Sequence, residues 1–310
     1  MNYVIEVKNL KKYYKEIKAV DGISFEVYEN EIFGMVGPNG AGKTTAIECI
    51  EGLRKPDSGE IKVLGLNPNK DREILYQKIS VQLQETSYQD KIKVYEICEL
   101  FSSFYKNPIN YKELLERFEL IDFKNSFVMK LSGGQKQKLS IILALIPNPK
   151  IIFLDEITTG LDPKARRDMW QMIKDLKTEG RTIFITTHYM EEAEKLCDRV
   201  AIIDKGKIIA LDTPKKLIEK SGLLDNITFE AENLNYDELE KILGVSKVVL
   251  EDNKVTIYGK GEDLLKNVID YLYLKKVNFK NLKTKSPNLE DIYLFLTGKK
   301  YEEVINEKFS

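Results

Sequence analysis

The sequence predicts an α/β fold: a sheet with parallel strands at its centre and helices between them, then a smaller α+β module. Three observations predict it. A strand pattern, a glycine-rich loop and a helix follow one another over residues 32–50. Two strand-like runs, 151–154 and 182–187, each lead into a helical pattern, the alternation that sets parallel strands side by side. Beyond a break at 213–222 the order becomes β-α-β-β-α-β, the split ferredoxin-like arrangement.

In chain order, Val4, Val7, Ile23, Phe25 and Val27 have the period of half-buried strands, with Asp21-Gly22 and Glu29-Asn30 reading as turns. Between them Tyr13-Tyr14 lies on a basic stretch; a tyrosine there either stacks on an adenine ring or is a surface aromatic. The apolar run 32–36 then enters Gly37-Pro38-Asn39-Gly40-Ala41-Gly42-Lys43-Thr44-Thr45, and 46–50 leaves it as a helix. This is the G-x-x-x-x-G-K-[ST] spacing of a phosphate-binding P-loop. Its glycines let backbone N–H groups turn inward around a polyphosphate, and the helix adds its positive end. Lys43 is placed for the β- and γ-phosphates and the Thr44 hydroxyl for Mg²⁺. A glycine turn that only joins strand to helix leaves the four fixed positions and both flanks unexplained.

Pro56-Asp57-Ser58-Gly59 marks a turn, 61–63 a strand, and 79–84 a strand with a polar end. From about 92 to 128 the pattern is helical, with Leu114, Leu115, Phe118 and Ile121 on one stripe and a break at Pro108. Leu131-Ser132-Gly133-Gly134-Gln135 runs into a helix over 136–146 and is either a second backbone anion cradle or a plain helix start.

The apolar strand 151–154 ends in Asp155-Glu156. A strand buried on both faces belongs inside a parallel sheet, and ligands sit beyond the carboxyl ends of such strands. Asp155 therefore falls where it can hold Mg²⁺, directly or one shell out, and Glu156 where it can take a proton from an attacking water. The alternative is two acids that cap the next segment. His188, the one histidine of the chain, ends the strand 182–187 and is either a structural hydrogen-bonder or part of the site. Met190, Ala193 and Leu196 describe a helix face, and 200–203 one more strand.

In the module the strands read 227–231, 245–250, 255–258 and 277–282, the helices 236–243 and 262–274. Ser286-Pro287 opens a last helix over 289–296. The charged tail from Lys299 is expected to fray.

With 43% hydrophobic and 31% charged residues, the 310-residue chain suits one large domain or a large and a small one. A formal net charge of -1 gives no electrostatic case for nucleic acid or an anionic membrane. Cys49, Cys98 and Cys197 are odd in number and lack metal spacing, so reduced cytosolic thiols serving as small core residues are expected. No signal-peptide pattern is read at the start, and the apolar runs fall short of the roughly 20 residues that span a bilayer. A membrane role is expected to come through a partner.

Four stretches together go beyond a generic P-loop: GPNGAGKTT (37–45), LSGGQKQKL (131–139), IIFLDEITTGLDP (151–163) and TTHYMEEAEKLCDRVAIIDKG (186–206). Through them residues 1–220 resemble the nucleotide-binding subunit of an ABC transporter, with a mixed sheet core, an antiparallel β-subdomain and a helical subdomain at about 86–148. The stretch 225–298, above all Asn288-Leu289-Glu290-Asp291-Ile292-Tyr293, resembles the appendage of drug and antibiotic exporters, and 299–310 is a tail.

The resemblance implies that Asn39, Gly40, Ala41, Gly42, Lys43, Thr44 and Thr45 hold the phosphates of ATP. It implies Tyr14 as the adenine-stacking aromatic, with Tyr13 the fallback. Mg²⁺ falls to Thr44, Gln84 and Asp155, with Gln82 the less favoured glutamine. Lys43, Gln84, Glu156 as base and His188 as γ-phosphate switch form the catalytic set. Ser132, Gly133, Gly134 and Gln135 contact the partner's ATP, and Asp162 lies on the loop that crosses the dimer. One departure stands out: Ile157 occupies the place where the family usually has proline after the catalytic glutamate.

The implied function is an ATP-hydrolysing subunit at the cytoplasmic face of the cell membrane. It would drive an integral-membrane permease together with a second nucleotide-binding subunit and export drugs, antibiotics or lipid-like compounds, with no nucleic-acid partner. A soluble relative working on DNA or ribosomes is the competing class. Only about a hundred residues separate the two Walker halves, without sustained heptads, and there is one cassette, which argues against it. A binding module without hydrolysis is the third class, and Glu156 and His188 argue against that.

Overall fold

The structure, a computed structural model, describes residues 2–82, 91–231, 236–251 and 253–298. Gln84 and the tail from Lys299 lie outside them. By internal contacts the chain divides into two units, the first reaching to Pro214 and the second Lys215–Gly298. That division falls ahead of the sequence-based boundary at 220.

The first unit opens with β1 (Tyr3–Tyr14), β2 (Ile17–Tyr28) and β3 (Ile32–Val36). Asp21-Gly22 is not a turn. β2 runs straight through it, and Gly22 (φ +81°) is the extra residue of a bulge, since Lys11 faces Asp21 while Leu10 faces Ile23. The reversal comes instead at Lys15-Glu16, just after the tyrosine pair.

Next come α1 (Lys43–Glu51), β4 (Ser58–Val63), α2 (Arg72–Leu75) and β5 (Ile79–Gln82). The helical insertion holds α3 (Val94–Ser103) and α4 (Tyr111–Arg117), with Pro108 between them and Leu114 and Leu115 buried as the stripe requires. The chain then lays down α5 (Gly133–Leu145), β6 (Ile151–Asp155), α6 (Pro163–Thr178), β7 (Thr182–Thr187), α7 (Met190–Leu196), β8 (Arg199–Asp204) and β9 (Lys207–Asp212).

Two sheets result. β2, β1 and β4 form a small antiparallel sheet. The larger has the order β5-β6-β7-β3-β8-β9, parallel except for β9 at one edge. β3 and β6 are buried at every residue, as expected of strands covered on both faces. Phe25 stacks on Phe33, with ring centroids 5.2 Å apart, and Phe184 lies between Phe33 (5.4 Å) and Phe153 (5.7 Å), so one aromatic cluster ties the small sheet to the centre of the large one.

The second unit holds α8 (Pro214–Ser221), β10 (Asp225–Ala231), α9 (Tyr236–Leu239), β11 (Val245–Glu251), β12 (Lys254–Gly259), α10 (Leu264–Leu274), β13 (Phe279–Lys285) and α11 (Leu289–Thr297). The order β11-β12-β10-β13 is antiparallel throughout, which is the ferredoxin-like arrangement. Its core joins Ile227, Phe229, Val255 and Ile257 to Leu264, Val268 and Leu272 of α10. The sequence placed the helix after β10 over 236–243, but α9 ends at Leu239, where the chain turns toward Gly244 (φ +95°). The last strand begins at Phe279 rather than 277, because Lys276 (φ +53°) still belongs to the turn out of α10.

Candidate functional site

The carboxyl ends of β3, β7 and β6 sit side by side, and β7 fixes their spacing. Gly37 donates its N–H to the Thr187 carbonyl (3.3 Å), and Glu156 donates its own to the Thr186 carbonyl (3.1 Å). The glycine loop is thereby bonded to the strand that ends in His188, and so is the acidic pair.

α1 begins at Gly42 (φ +104°) without a side-chain cap, so the N–H groups of its first turn are left to a ligand. Any larger residue at 42 would place a Cβ 2.0 Å from the Ala19 carbonyl oxygen, so only glycine fits. The loop is clamped from behind: Gly206 donates to the Ala41 carbonyl (3.0 Å), and Asp21 donates to that of Gly206 (2.8 Å).

Lys43 is 4% exposed. Its Nζ donates to the carbonyls of Gly37 (2.9 Å) and Pro38 (3.1 Å) and lies 3.4 Å from Glu156 Oε1. On the other side, Glu156 Oε2 lies 3.1 Å from His188 Nδ1. Burial lowers the Lys43 ammonium below its ordinary value, against the pull of the Glu156 carboxylate. Burial alone would raise Glu156, but the His188 ring and the Lys43 ammonium together outweigh it and hold the carboxyl low. Glu156 is thus kept as a carboxylate, the form a base requires.

Asp155 is buried and accepts a hydrogen bond from the Thr186 hydroxyl. Burial raises its carboxyl, with that hydroxyl pulling the other way. Among the described residues no group of three acidic, histidine or cysteine side chains is poised to hold a metal. One threonine hydroxyl and one carboxylate beside a phosphate cradle still fit Mg²⁺, which takes few protein oxygens and completes its shell with phosphates and water.

A cavity of about 1070 Å³ opens over this cluster. Tyr14, Asn39, Gly40, Gly42, Lys43, Thr44 and Thr45 line it, together with Glu156 and His188. Of the tyrosine pair, Tyr14 faces the cavity with Arg54 against its ring, whereas the Tyr13 hydroxyl donates to Asp21 (2.6 Å). Ala41, within the loop, is 3% exposed and does not line the cavity.

Ser132, Gly133, Gly134 and Gln135 do not join this cavity. They start α5 as a reciprocal capping box: the Ser132 hydroxyl accepts from Gln135 N–H (3.3 Å) and Gln135 Oε1 from Ser132 N–H (2.9 Å). Asp162 is also outside it and caps α6, accepting from the N–H groups of Lys164 (2.9 Å) and Ala165 (3.0 Å) ahead of Pro163 in the first turn. Gln84 falls outside the described residues, and Gln82 is buried at the end of β5.

The Ile157 departure has a visible counterpart. Glu156 adopts φ +49°, and proline in the next position would oppose that conformation. Holding a non-glycine residue there costs about 1–2 kcal/mol, and the turn is closed by Thr159 N–H on the Glu156 carbonyl (3.1 Å).

Sequence reasoning missed Lys18 of β2, Tyr189 and Lys205, all of which line the cavity. Lys205-Gly206 forms the turn between β8 and β9, and its approach to the glycine loop follows from the pairing of β3 with β8, which no local pattern announces.

Residues 20–159 match the sequence model of the ABC transporter family. The chain is 34% identical over 304 residues to the Nod factor export ATP-binding protein I of Rhizobium etli, covering 96% of this chain and 95% of that protein. It is 31% identical over 304 residues to the daunorubicin resistance ATP-binding protein DrrA3 of Streptomyces coeruleorubidus, covering 95% and 96%. Among solved structures it is similar to the dimeric post-hydrolysis form of the ATP-binding cassette MJ0796 bound to ADP and Pi. That likeness has a TM-score of 0.60 at 28% identity and covers 67% of this chain and 98% of the other.

Proposed function

The chain belongs to the ATP-binding subunits of the ABC transporter family, and from that premise we propose that it powers a membrane exporter, two nucleotide-binding subunits working with an integral-membrane permease. The ATPase domain, 1–220, does the chemistry, and the module 225–298 is an accessory to it. No helix among the described residues is long and apolar enough to cross a membrane. In this reading the permease supplies the path and holds the subunit at the cytoplasmic face. Export, rather than import, is supported by relatives named for Nod factor export and daunorubicin resistance that match nearly end to end.

The observation that carries the reading is Glu156 set between Lys43 and His188 in the lining of the glycine-loop cavity. Tyr14 stacks the adenine, and residues 39–45 wrap the triphosphate. Glu156 takes the proton of a water attacking the γ-phosphate in line. His188 senses the γ-phosphate, and Lys43 offsets charge on it as the bond breaks. Thr44 and Asp155, and in our reading Gln84, would hold Mg²⁺, which would supply charge neutralisation.

Ser132, Gly133, Gly134 and Gln135 lie apart from this cavity. That supports their use on the ATP of a second subunit, whose own start of α5 completes this one, with Asp162 at the crossing. ATP then acts as the glue, through charge-assisted hydrogen bonds from both chains. Hydrolysis removes the phosphate that holds them.

Glu156→Gln tests it. ATP binding persists, a nucleotide-dependent dimer accumulates in size-exclusion chromatography, and steady-state turnover falls by about 10²–10⁴-fold, the range for a lost general base. Undiminished turnover refutes the assignment. Co-purification of the wild-type chain with a multi-spanning membrane protein is the expected partner result.

A further inference from the structure

The His188 ring has an aromatic neighbour to which the proposed reaction gives no part. The Tyr189 ring lies against the imidazole, with centroids 4.0 Å apart and the planes inclined at 42°. The Arg166 guanidinium sits over the same tyrosine ring, 4.9 Å from its centroid. Arg166 Nε is buried without a hydrogen-bond partner among the described residues, so the ring is the contact that holds this end of the side chain. One turn further along α6, on the same face, Trp170 donates to the carboxylate of Glu192 (3.0 Å), which is 2% exposed on α7. The Tyr189 backbone is fixed in turn by its N–H on the Thr187 hydroxyl (3.0 Å).

We propose that Tyr189 is a positioning residue, a wedge clamped by Arg166 that orients the His188 ring toward Glu156. The inference rests on the functional reading above and deepens it. An imidazole at a strand end has a free χ1 and χ2; a ring packed against one face removes most of that freedom. Arg166 lies in the first turn of α6 and donates its N–H to the carbonyl of Asp162 (2.9 Å), the residue assigned to the crossing between subunits. A shift of that helix start therefore reaches His188 through two side chains, guanidinium to phenol to imidazole.

The test uses the tag-free full chain and four variants: Tyr189→Ala, Tyr189→Phe, Arg166→Ala and the Arg166→Ala/Tyr189→Ala double. Tyr189→Ala lowers kcat about tenfold, with ATP affinity within twofold of wild type. Tyr189→Phe keeps the ring and restores kcat to within twofold. Arg166→Ala lowers kcat alone but adds less than twofold in the Tyr189→Ala background, because the clamp then has nothing to hold. His188 is the one histidine of the chain, so its ring protons are the single histidine signals in a selectively labelled NMR spectrum. They carry the ring-current shift of Tyr189, retained in Tyr189→Phe and lost in Tyr189→Ala.

A Tyr189→Ala kcat within twofold of wild type overturns the proposal. So does an affinity loss larger than the kcat loss, which would make Tyr189 part of the nucleotide surface. Independent, multiplying losses in the double variant overturn the clamp. Lys43→Ala serves as the control: if it binds ATP normally the functional reading fails, and if it loses ATP while Tyr189→Ala turns over normally only this inference does.

Discussion

Glu51 gives a quantitative handle on the first unit. Its side chain closes α1 and is 2% exposed. Burial, reinforced by the charges of Asp155 and Glu48, raises its carboxyl from 4.5 to about 9. The folded chain therefore keeps a proton that the unfolded chain releases. Between these two values the native state binds one more proton, so stability falls as pH rises, by about 1.4 kcal/mol per pH unit. From 4.5 to 7 that amounts to roughly 3 kcal/mol, which Glu51→Gln, neutral at every pH and of the same shape, does not lose. Trp170, the single tryptophan, lies in the first unit, so its fluorescence follows urea unfolding of that unit alone. Glu51→Gln should match the wild type near pH 4.5 and exceed it by roughly 3 kcal/mol at pH 7, the gap widening by about 1.4 kcal/mol per unit up to pH 8.5. Parallel stability curves would show that the carboxyl is solvated and refute the reasoning.

Two further outcomes follow from the same packing. Lys43→Ala removes the ammonium bound to two loop carbonyls and facing Glu156; ATP affinity should fall at least tenfold by equilibrium titration, and unchanged binding would refute the assigned cradle. Cys49, Cys98 and Cys197 are all buried, and burial pushes the first two thiols up to about 11 and about 12 and the third well above its ordinary value. A thiol reagent at pH 8 should find them silent in the folded chain and titrate all three in urea; rapid labelling without denaturant would contradict the burial.

The strand ends that carry the site were legible because each combines a fully apolar run with a polar stop. Residues 151–156 and 182–188 show this plainly, and the glycine loop adds fixed offsets of its own. What stayed illegible was set by tertiary contact. Asp21-Gly22 has turn chemistry, yet the pairing of β1 with β2 absorbs it as a bulge, because the strand gains more by continuing than by reversing. Tyr13 and Tyr14 are indistinguishable in composition; only the strand's alternation sends one hydroxyl to Asp21 and the other ring to the cavity. Lys205 and Tyr189 carry no local signal either, since their place depends on which strands neighbour β3.

The strand β7 explains why so many functional groups agree in position. Its residues Thr186 and Thr187 use backbone and side chain together. The Thr186 carbonyl holds Glu156 N–H while its hydroxyl holds Asp155, and the Thr187 carbonyl holds Gly37 N–H while its hydroxyl holds Tyr189 N–H. One dipeptide thereby fixes the glycine loop, both acids and the turn that presents His188. Groups that act together must be held to about 0.5 Å, and bonds to one strand serve that need. A strand paired on both sides is the stiffest element available for that purpose, and β7 lies between β6 and β3. The cost is borne at Glu156, whose left-handed backbone is tolerated because the strand on one side and the Thr159 turn on the other leave it no alternative. The strain sits at the residue proposed as base, and the paired strand beside it keeps that strain from relaxing.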